Sequence, residues 1–347
     1  MQPDQTPAVS VIIPVRDDPL VFQAVRAVLD QQGLPASPEV IVVDNGSRQA
    51  FRRALARLDR QVIVLDEPLQ GAAAARNRGI GHARGEFIFF TDADCTPAPD
   101  WIVEGLRGFD ATGADILSGG RLWKATSRNQ RLVSAANGYR ASRRRSGAGA
   151  GGTAGGPGRR HDTTPFADTA NAAVRRSVFE RVRFDVALLR GQDLAFGDEA
   201  VAAGFVLRDW PAMQVVIRPD EYLRLRVAKE IMGGWGYAER AIRRAAAQGR
   251  PVRPPVAARR LGRLPGVATV FPACLLPCIA AAGVIDCLAR LLPLRWLVGP
   301  AARLTAIGRR AGRVGRHLGM PPLSPADLAR GRVRVATGHL PRAGGVT

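Results

Sequence analysis

Histidine and cysteine are scarce, four of each in 347 residues. The cysteines, Cys95, Cys274, Cys278 and Cys287, show no metal-ligand spacing. The tightest pair, Cys274-x3-Cys278, has no partner cluster. That argues against a disulfide framework and for a reducing compartment. The amino terminus, MQPDQTPAVS, has neither the basic patch nor the apolar run of a secretory signal, so export by that route is not expected. No Gly-rich phosphate loop and no G-x-G-x-x-G follows the first apolar run, VSVIIPV. Their absence speaks against a nucleotidyltransferase and against a dinucleotide oxidoreductase. Acids almost vanish after about residue 240.

What is abundant is positive charge and apolar side chain. Fifty Lys plus Arg stand against 30 Asp plus Glu, a net charge of +20. Such a balance favours a polyanionic partner: nucleic acid, anionic lipid or a phosphorylated ligand. Hydrophobic residues make up 46% of the chain, enough for a sizeable core. The length suits one large α/β domain with an extension, or two domains.

Four short apolar runs open the chain: Val9 to Val15, Val40 to Val43, Gln61 to Leu65 and Phe87 to Phe90. Between them lie stretches of helical period. Leu20, Val21, Ala24, Val25 and Val28 form one stripe, Phe51, Leu55 and Leu58 a second, and the alanine-rich Gly71 to Ala83 a third helix. Strands alternating with helices indicate βαβ units and a mostly parallel sheet, whose ligands bind beyond the carboxyl ends of the strands. Those ends carry Pro14-Val15-Arg16-Asp17, Asp44-Asn45-Gly46-Ser47 and Asp92-Ala93-Asp94. Asp92 and Asp94 are two apart in extended backbone and point the same way. Two such carboxylates repel unless a positive charge lies between them.

Beyond residue 124 the composition shifts. RRRSGAGAGGTAGGPGRR marks 125–165 as a flexible Gly/Arg-rich insert. TANAAVRRSVFERVRFD (169–185) and GQDLAFGDEAVAAGF (191–205) read as helical, and Asp209 to Ile217 as another strand. YLRLRVAKEIMGGWGYAERAIRRAAA reads as a basic helix broken at Gly233-Gly234. Leu264 to Ile285 is free of charge and long enough to span a bilayer, though Pro265, Pro272 and Pro277 weaken it as a free helix. LARLLPLRWLVGPAARL, apolar residues interleaved with Arg, has the look of an interfacial helix. The expected layout is a catalytic domain over 1–225 and a basic, apolar helical region over 226–347. A membrane anchor is expected around 264–300, spanning or in-plane.

VSVIIPVRDD, EVIVVDNGS, AAARNRGIGHARGEFIFFTDADC, TANAAVRRSVFERVRFD and RGQDLAFGDEAVAAG stand in the order found in the family 2 glycosyltransferases, and the chain resembles that family over roughly residues 8 to 210. The resemblance implies a Rossmann-like nucleotide-sugar fold of the GT-A type: a mixed, mostly parallel sheet with flanking helices. It also implies an inverting reaction. Pro14 and the residues after it would line the base pocket, with Asp44 accepting a hydrogen bond from a base N–H; an ordinary turn aspartate is the other reading of Asp44. Arg76 resembles the family arginine near the nucleotide, or is a helix-surface charge. Asp92 resembles the carboxylate near ribose and metal. Asp94 resembles the direct ligand of Mg²⁺ or Mn²⁺ bridging the two phosphates, which supplies the missing positive charge. Asp193 falls on the general base that takes the acceptor's proton, or else caps a helix.

Some positions depart from the family pattern. Gln192 replaces the acid that usually precedes the base, and Glu199 stands where an arginine is common. The histidine often found after the last strand is missing, and Val215-Val216-Ile217-Arg218-Pro219 offers Arg218 instead. The histidines present, His82, His161, His317 and His339, lie elsewhere. GGWGYAER does not match the Gln-x-x-Arg-Trp of processive synthases, which favours single sugar transfer. The resemblance implies a nucleoside-diphosphate sugar donor, UDP-sugar favoured, and a lipid-linked or glycan acceptor. Charge and apolar sequence point to an anionic membrane surface at the cytoplasmic face of a bacterial inner membrane; nucleic acid is not expected. The competing reading is a degenerate transferase fold serving as a basic membrane or nucleic-acid binding module.

Overall fold

The computed structural model describes residues 8–136, 167–188, 190–247, 249–251, 275–289, 291–292 and 294–318. Two compact units emerge: Met1–Thr126 with Arg145–Pro219, and Ser127–Arg144 with Asp220–Thr347. Most of the insert, 137–166, lies outside the described residues.

The first unit is built on β1 (Val9–Val15), β2 (Glu39–Asp44), β3 (Val62–Asp66), β4 (Phe87–Thr91), β5 (Cys95–Pro97), β6 (Ile116–Trp123), β7 (Asn171–Arg175) and β8 (Leu207–Ile217). They form one sheet in the order β3-β2-β1-β4-β7-β6-β8-β5. Pairing is parallel from β3 through β4 and between β6 and β8. It is antiparallel on both sides of β7 and between β5 and β8. The sheet is therefore mixed. Its helices are α1 (Val21–Leu29), α2 (Gln49–Leu55), α3 (Ala72–His82), α4 (Trp101–Thr112) and, after α5 of the second unit (128–136), α6 (Gln192–Ala202).

The central strands are Val- and Ile-rich because both faces are covered. Val11 and Ile13 of β1 join Val21, Val25, Trp101 and Phe109 in one core layer. Ile12, between them, joins Ala75, Ile80, Phe90 and Phe196 in the other. The alternation of strand side chains thus feeds two layers from one run.

One segment departs from its sequence reading. TANAAVRR contributes β7, followed by a 3₁₀ turn over Arg176–Glu180, instead of a helix. Ala172, Ala173 and Val174 are fully buried between β4 and β6, where small side chains suit a strand covered on both faces, and sheet pairing overrides alanine's helical preference.

The second unit is helical: α5, α7 (Leu223–Ala247), α8 (Leu276–Leu288) and α9 (Leu294–His317). Residues 128–136, read as the start of the insert, form a helix because Leu132, Val133 and Ala136 have a core to enter, with Val227, Ile231 and Ile279. The break expected at Gly233-Gly234 does not occur, and α7 runs through it. Its glycine serves a close approach. A Cβ on Gly234 would lie 1.9 Å from the Arg309 carbonyl oxygen of α9, and one on Gly312 would lie 1.7 Å from that of Ile231. Asp286 of α8 accepts the N–H groups of Leu223 (2.6 Å) and Arg224 (3.1 Å), otherwise open donors at the start of α7. No helix among the described residues is long and apolar enough to cross a membrane. Residues 264–274 of the apolar run lie outside them.

Candidate active site

β1 to β4 run parallel, so their carboxyl ends open on one edge, and the three polar endings seen in sequence meet there. At the end of β1, Pro14 is half-buried and registers with Val43. Asp17 sits at φ 50°, the one non-glycine residue with positive φ among those described. Its N–H donates to Ser47 Oγ (2.9 Å), and its carboxylate accepts from the Arg48 N–H (2.9 Å) and Nε (3.2 Å). At the end of β2, Asp44 is buried. Its Oδ1 accepts the Ser47 N–H (3.0 Å) and its Oδ2 pairs with Arg52 Nε (3.0 Å). Asn45 ties the next loop down: Nδ2 donates to the carbonyls of Glu67 (3.0 Å) and Leu69 (2.8 Å), and Oδ1 accepts the Gly71 N–H (2.7 Å). The protein's own donors thus already engage Asp44, while Asn45, which sequence reading passed over, holds the two loops in register.

Beyond β4 the charges gather. Arg76 projects from α3 and is buried, donating to Asp92 Oδ1 at 2.8 Å, with its guanidinium 5.8 Å from the centre of the Phe184 ring. Arg76 is therefore no helix-surface charge. Its Nε is buried and, among the described residues, has no hydrogen-bond partner. Asp92 keeps 37% of its side chain exposed. Asp94 is also partly exposed, and its Oδ1 lies 3.6 Å from the Cys95 sulfur. Burial, then Asp92 and Asp94, push the Cys95 thiol far up, so it remains a protonated donor rather than a nucleophile.

Asp193 occupies the first turn of α6. The cap position belongs to Gly191, in the left-handed conformation, and Asp193 Oδ1 accepts the Leu194 N–H at 2.9 Å. Burial holds its carboxyl above the ordinary aspartate range. The Leu194 N–H, Arg76 and Arg121 pull the other way, and Asp92 adds to the rise. Asp193 therefore shares one electrostatic neighbourhood with Arg76 and Asp92. Arg121 acts on both Asp193 and Cys95, the immediate neighbour of Asp94.

Arg121 was not anticipated from sequence. It lies on β6 just past an irregularity at Gly119/Gly120, where β8 takes extra residues. It pairs with Asp168, which is buried just ahead of β7. The irregularity needs glycine, since a Cβ on Gly119 would lie 2.3 Å from Asn171 Nδ2 and 2.4 Å from the Met213 carbonyl. Asn171 is fully buried and knits the strands together. It donates to the carbonyls of Gly120 (2.6 Å) and Met213 (2.7 Å) and accepts from Trp101 Nε1 (2.7 Å). A Gly-Gly pair inside a strand pattern, followed by Arg, was the available signal. Arg218 follows Ile217, which pairs with Cys95, but its exposed guanidinium donates to Gln23 of α1 at 3.0 Å.

Among the described residues no group of three or more His, Cys, Asp or Glu is placed to hold a metal ion. Asp92 and Asp94 offer hard oxygen donors. That set suits a hard divalent cation taking its remaining ligands from phosphate oxygens and water.

Comparison with known proteins follows the same segments. The family described as Glycosyl transferase family 2 matches residues 10–183. A glycosyltransferase of Haloferax volcanii, AglE, is 36% identical over 118 residues, 33% of this chain and 39% of the relative. The pre-mycofactocin glycosyltransferase of Mycobacterium tuberculosis is 29% identical over 244 residues, 68% of this chain and 48% of the relative. This chain thus spans between a third and a half of the length of these relatives. A solved structure of GalNAc-T7 with UDP, GalNAc and Mn²⁺ aligns with a TM-score of 0.45 at 14% identity, covering 65% of this chain and 48% of that one.

Proposed function

Because this chain belongs to glycosyl transferase family 2, we propose that it is an inverting glycosyltransferase on a sheet of the GT-A type. It moves a sugar from a nucleoside-diphosphate donor, a UDP-sugar favoured, to an acceptor hydroxyl. One observation carries the reading. An acid with its carboxyl raised above the usual range, Asp193, answers electrostatically to Arg76, Arg121 and Asp92 at the open edge of the sheet.

The chemistry follows from those charges. Asp193 accepts the acceptor's hydroxyl proton as that oxygen bonds to the anomeric carbon. The bond from that carbon to the diphosphate oxygen breaks on the opposite face, so the centre inverts. A raised carboxyl is the stronger base, and the two arginines pull against that rise. Asp94 and Asp92 hold Mg²⁺ or Mn²⁺, which when bound offsets the charge that the departing diphosphate gathers. Arg76, paired with Asp92, adds positive charge beside an anionic oxygen of the same ligand. Pro14 and the loop after β2 flank the base. The Asp44 carboxylate, already engaged by Ser47 and Arg52, shapes that pocket and receives the base. The acceptor is lipid-linked or glycan, presented at the cytoplasmic face of a bacterial inner membrane.

The test is a screen of nucleoside-diphosphate sugars against the full chain, with Mg²⁺ or with chelator, read as thermal stabilisation and donor turnover. One donor class is expected to stabilise the protein only when metal is present, and Asp94→Asn to remove that dependence. Stabilisation by no donor, or turnover by Asp94→Asn at the parent rate, would leave the binding-module reading in its place.

A further inference from the structure

The outer face of α8 is inverted in polarity. Its solvent-exposed positions are Pro277, Ala280, Val284 and Cys287, with Leu291 one turn further on. They recur at helical spacing as one stripe, and none is charged. The one charged residue of α8, Asp286, faces inward and caps α7. A helix on the surface of a soluble domain normally turns polar residues outward. Leu291 is 80% exposed and Trp296 60%, far from the usual fate of such side chains. Along α9 the exposed stripe reads Trp296, Pro300, Arg303, Ile307, Arg310, apolar residues alternating with arginine.

We infer that this face of the second unit lies on the surface of an anionic bilayer, apolar stripe at the acyl boundary and arginines at the lipid phosphates. The inference deepens the location proposed above by naming the surface and the mode. Among the described residues, spanning does not fit. α8 has 13 residues, a length of about 20 Å against a hydrocarbon core of about 30 Å. Its other face is committed too, since Ile279, Ala282 and Ile285 are packed into the helical core. An in-plane helix needs only one apolar face and basic residues beside it. Charge selects the occupant. After residue 240 the sequence holds 18 arginines and two aspartates, Asp286 and Asp327. A second copy docking on the same face would set Arg303 and Arg310 against their like, whereas anionic headgroups complement them.

The test uses the full chain and sedimentation with vesicles of phosphatidylcholine alone or mixed with phosphatidylglycerol. Binding is expected to the anionic vesicles, with Trp296 emission moving to shorter wavelength. The triple change Val284→Ser, Leu291→Ser, Trp296→Ser should weaken it by more than about tenfold. Arg303→Gln with Arg310→Gln should weaken it about fivefold per arginine and flatten its salt dependence. Leu291→Ser alone, at so exposed a position, leaves folding intact and should still reduce binding measurably. Binding that ignores lipid charge and all these changes overturns the inference. So does a lipid-free dimer that the triple change dissolves, which would assign the face to a second copy. Vesicle binding is read without sugar transfer, so this inference and the proposed activity fail separately.

Discussion

Asp193 in the sheet unit and Glu239 in the helical unit are both acids influenced by two arginines, and burial pushes both carboxyls up. They end on opposite sides of their ordinary values. Glu239 accepts from Arg243 Nε at 2.8 Å and from Arg316 directly, and these bonds outweigh burial and hold it low. Asp193 has its direct bond from a backbone N–H, while Arg76 and Arg121 act on it without a hydrogen bond, and burial prevails. Direct contact turns an acid into a structural clasp. Arginines without that contact leave burial to hold the carboxyl above its ordinary value.

The comparison breaks most visibly at Asp193. Asp193→Asn is expected to lower sugar transfer by about 10³-fold while donor stabilisation persists, as for loss of a general base. The same change should raise the melting temperature at neutral pH. A carboxyl raised in the folded state binds its proton more tightly there than in the unfolded chain. Its ionisation therefore subtracts stability as pH rises from about 3.8 through the folded value, and asparagine removes that loss. Melting curves across acid pH for parent and variant check the sign.

At Glu239 the sign reverses. Its lowered carboxyl contributes stability above about pH 4.5 that fades as pH falls through the folded value. Glu239→Gln should leave two arginines without their anion and lower the stability of the helical unit by about 3 kcal/mol, read from urea unfolding. A smaller effect separates two adjacent glycines. Gly234→Ala must displace the Arg309 carbonyl and should cost about 1–3 kcal/mol. Gly233→Ala meets nothing within 4 Å and should be neutral or slightly stabilising through helix propensity. Equal effects at the two positions would refute the close crossing of α7 and α9.

The edge of the site was legible because β1, β2 and β4 are each continuous runs buried almost throughout on both faces. An acid at the end of such a run can hardly belong to the core. Asp92 and Asp94 could be named this way, while the family order supplied their roles and pointed to Asp193. Arg121 could not. Its direction depends on a bulge that pairs Gly119 and Gly120 with residues about ninety positions later, and the local Gly-Gly-Arg pattern marks the place without giving that direction. β7 was misread for a related reason: an alanine-rich strand covered on both faces has no period to betray it.

By itself, the sequence determined the βαβ beginning, the acids at the strand ends and the basic, apolar character of the carboxyl region. All three are written in neighbouring residues through periodicity and composition. Tertiary structure alone decided that TANAAVRR would be a strand, that Gly233-Gly234 would not interrupt a helix, and which acid would be clasped by arginine and which left raised. Each of those outcomes depends on what another segment brings within a few ångströms, and burial and electrostatics act over that distance whatever the separation along the chain.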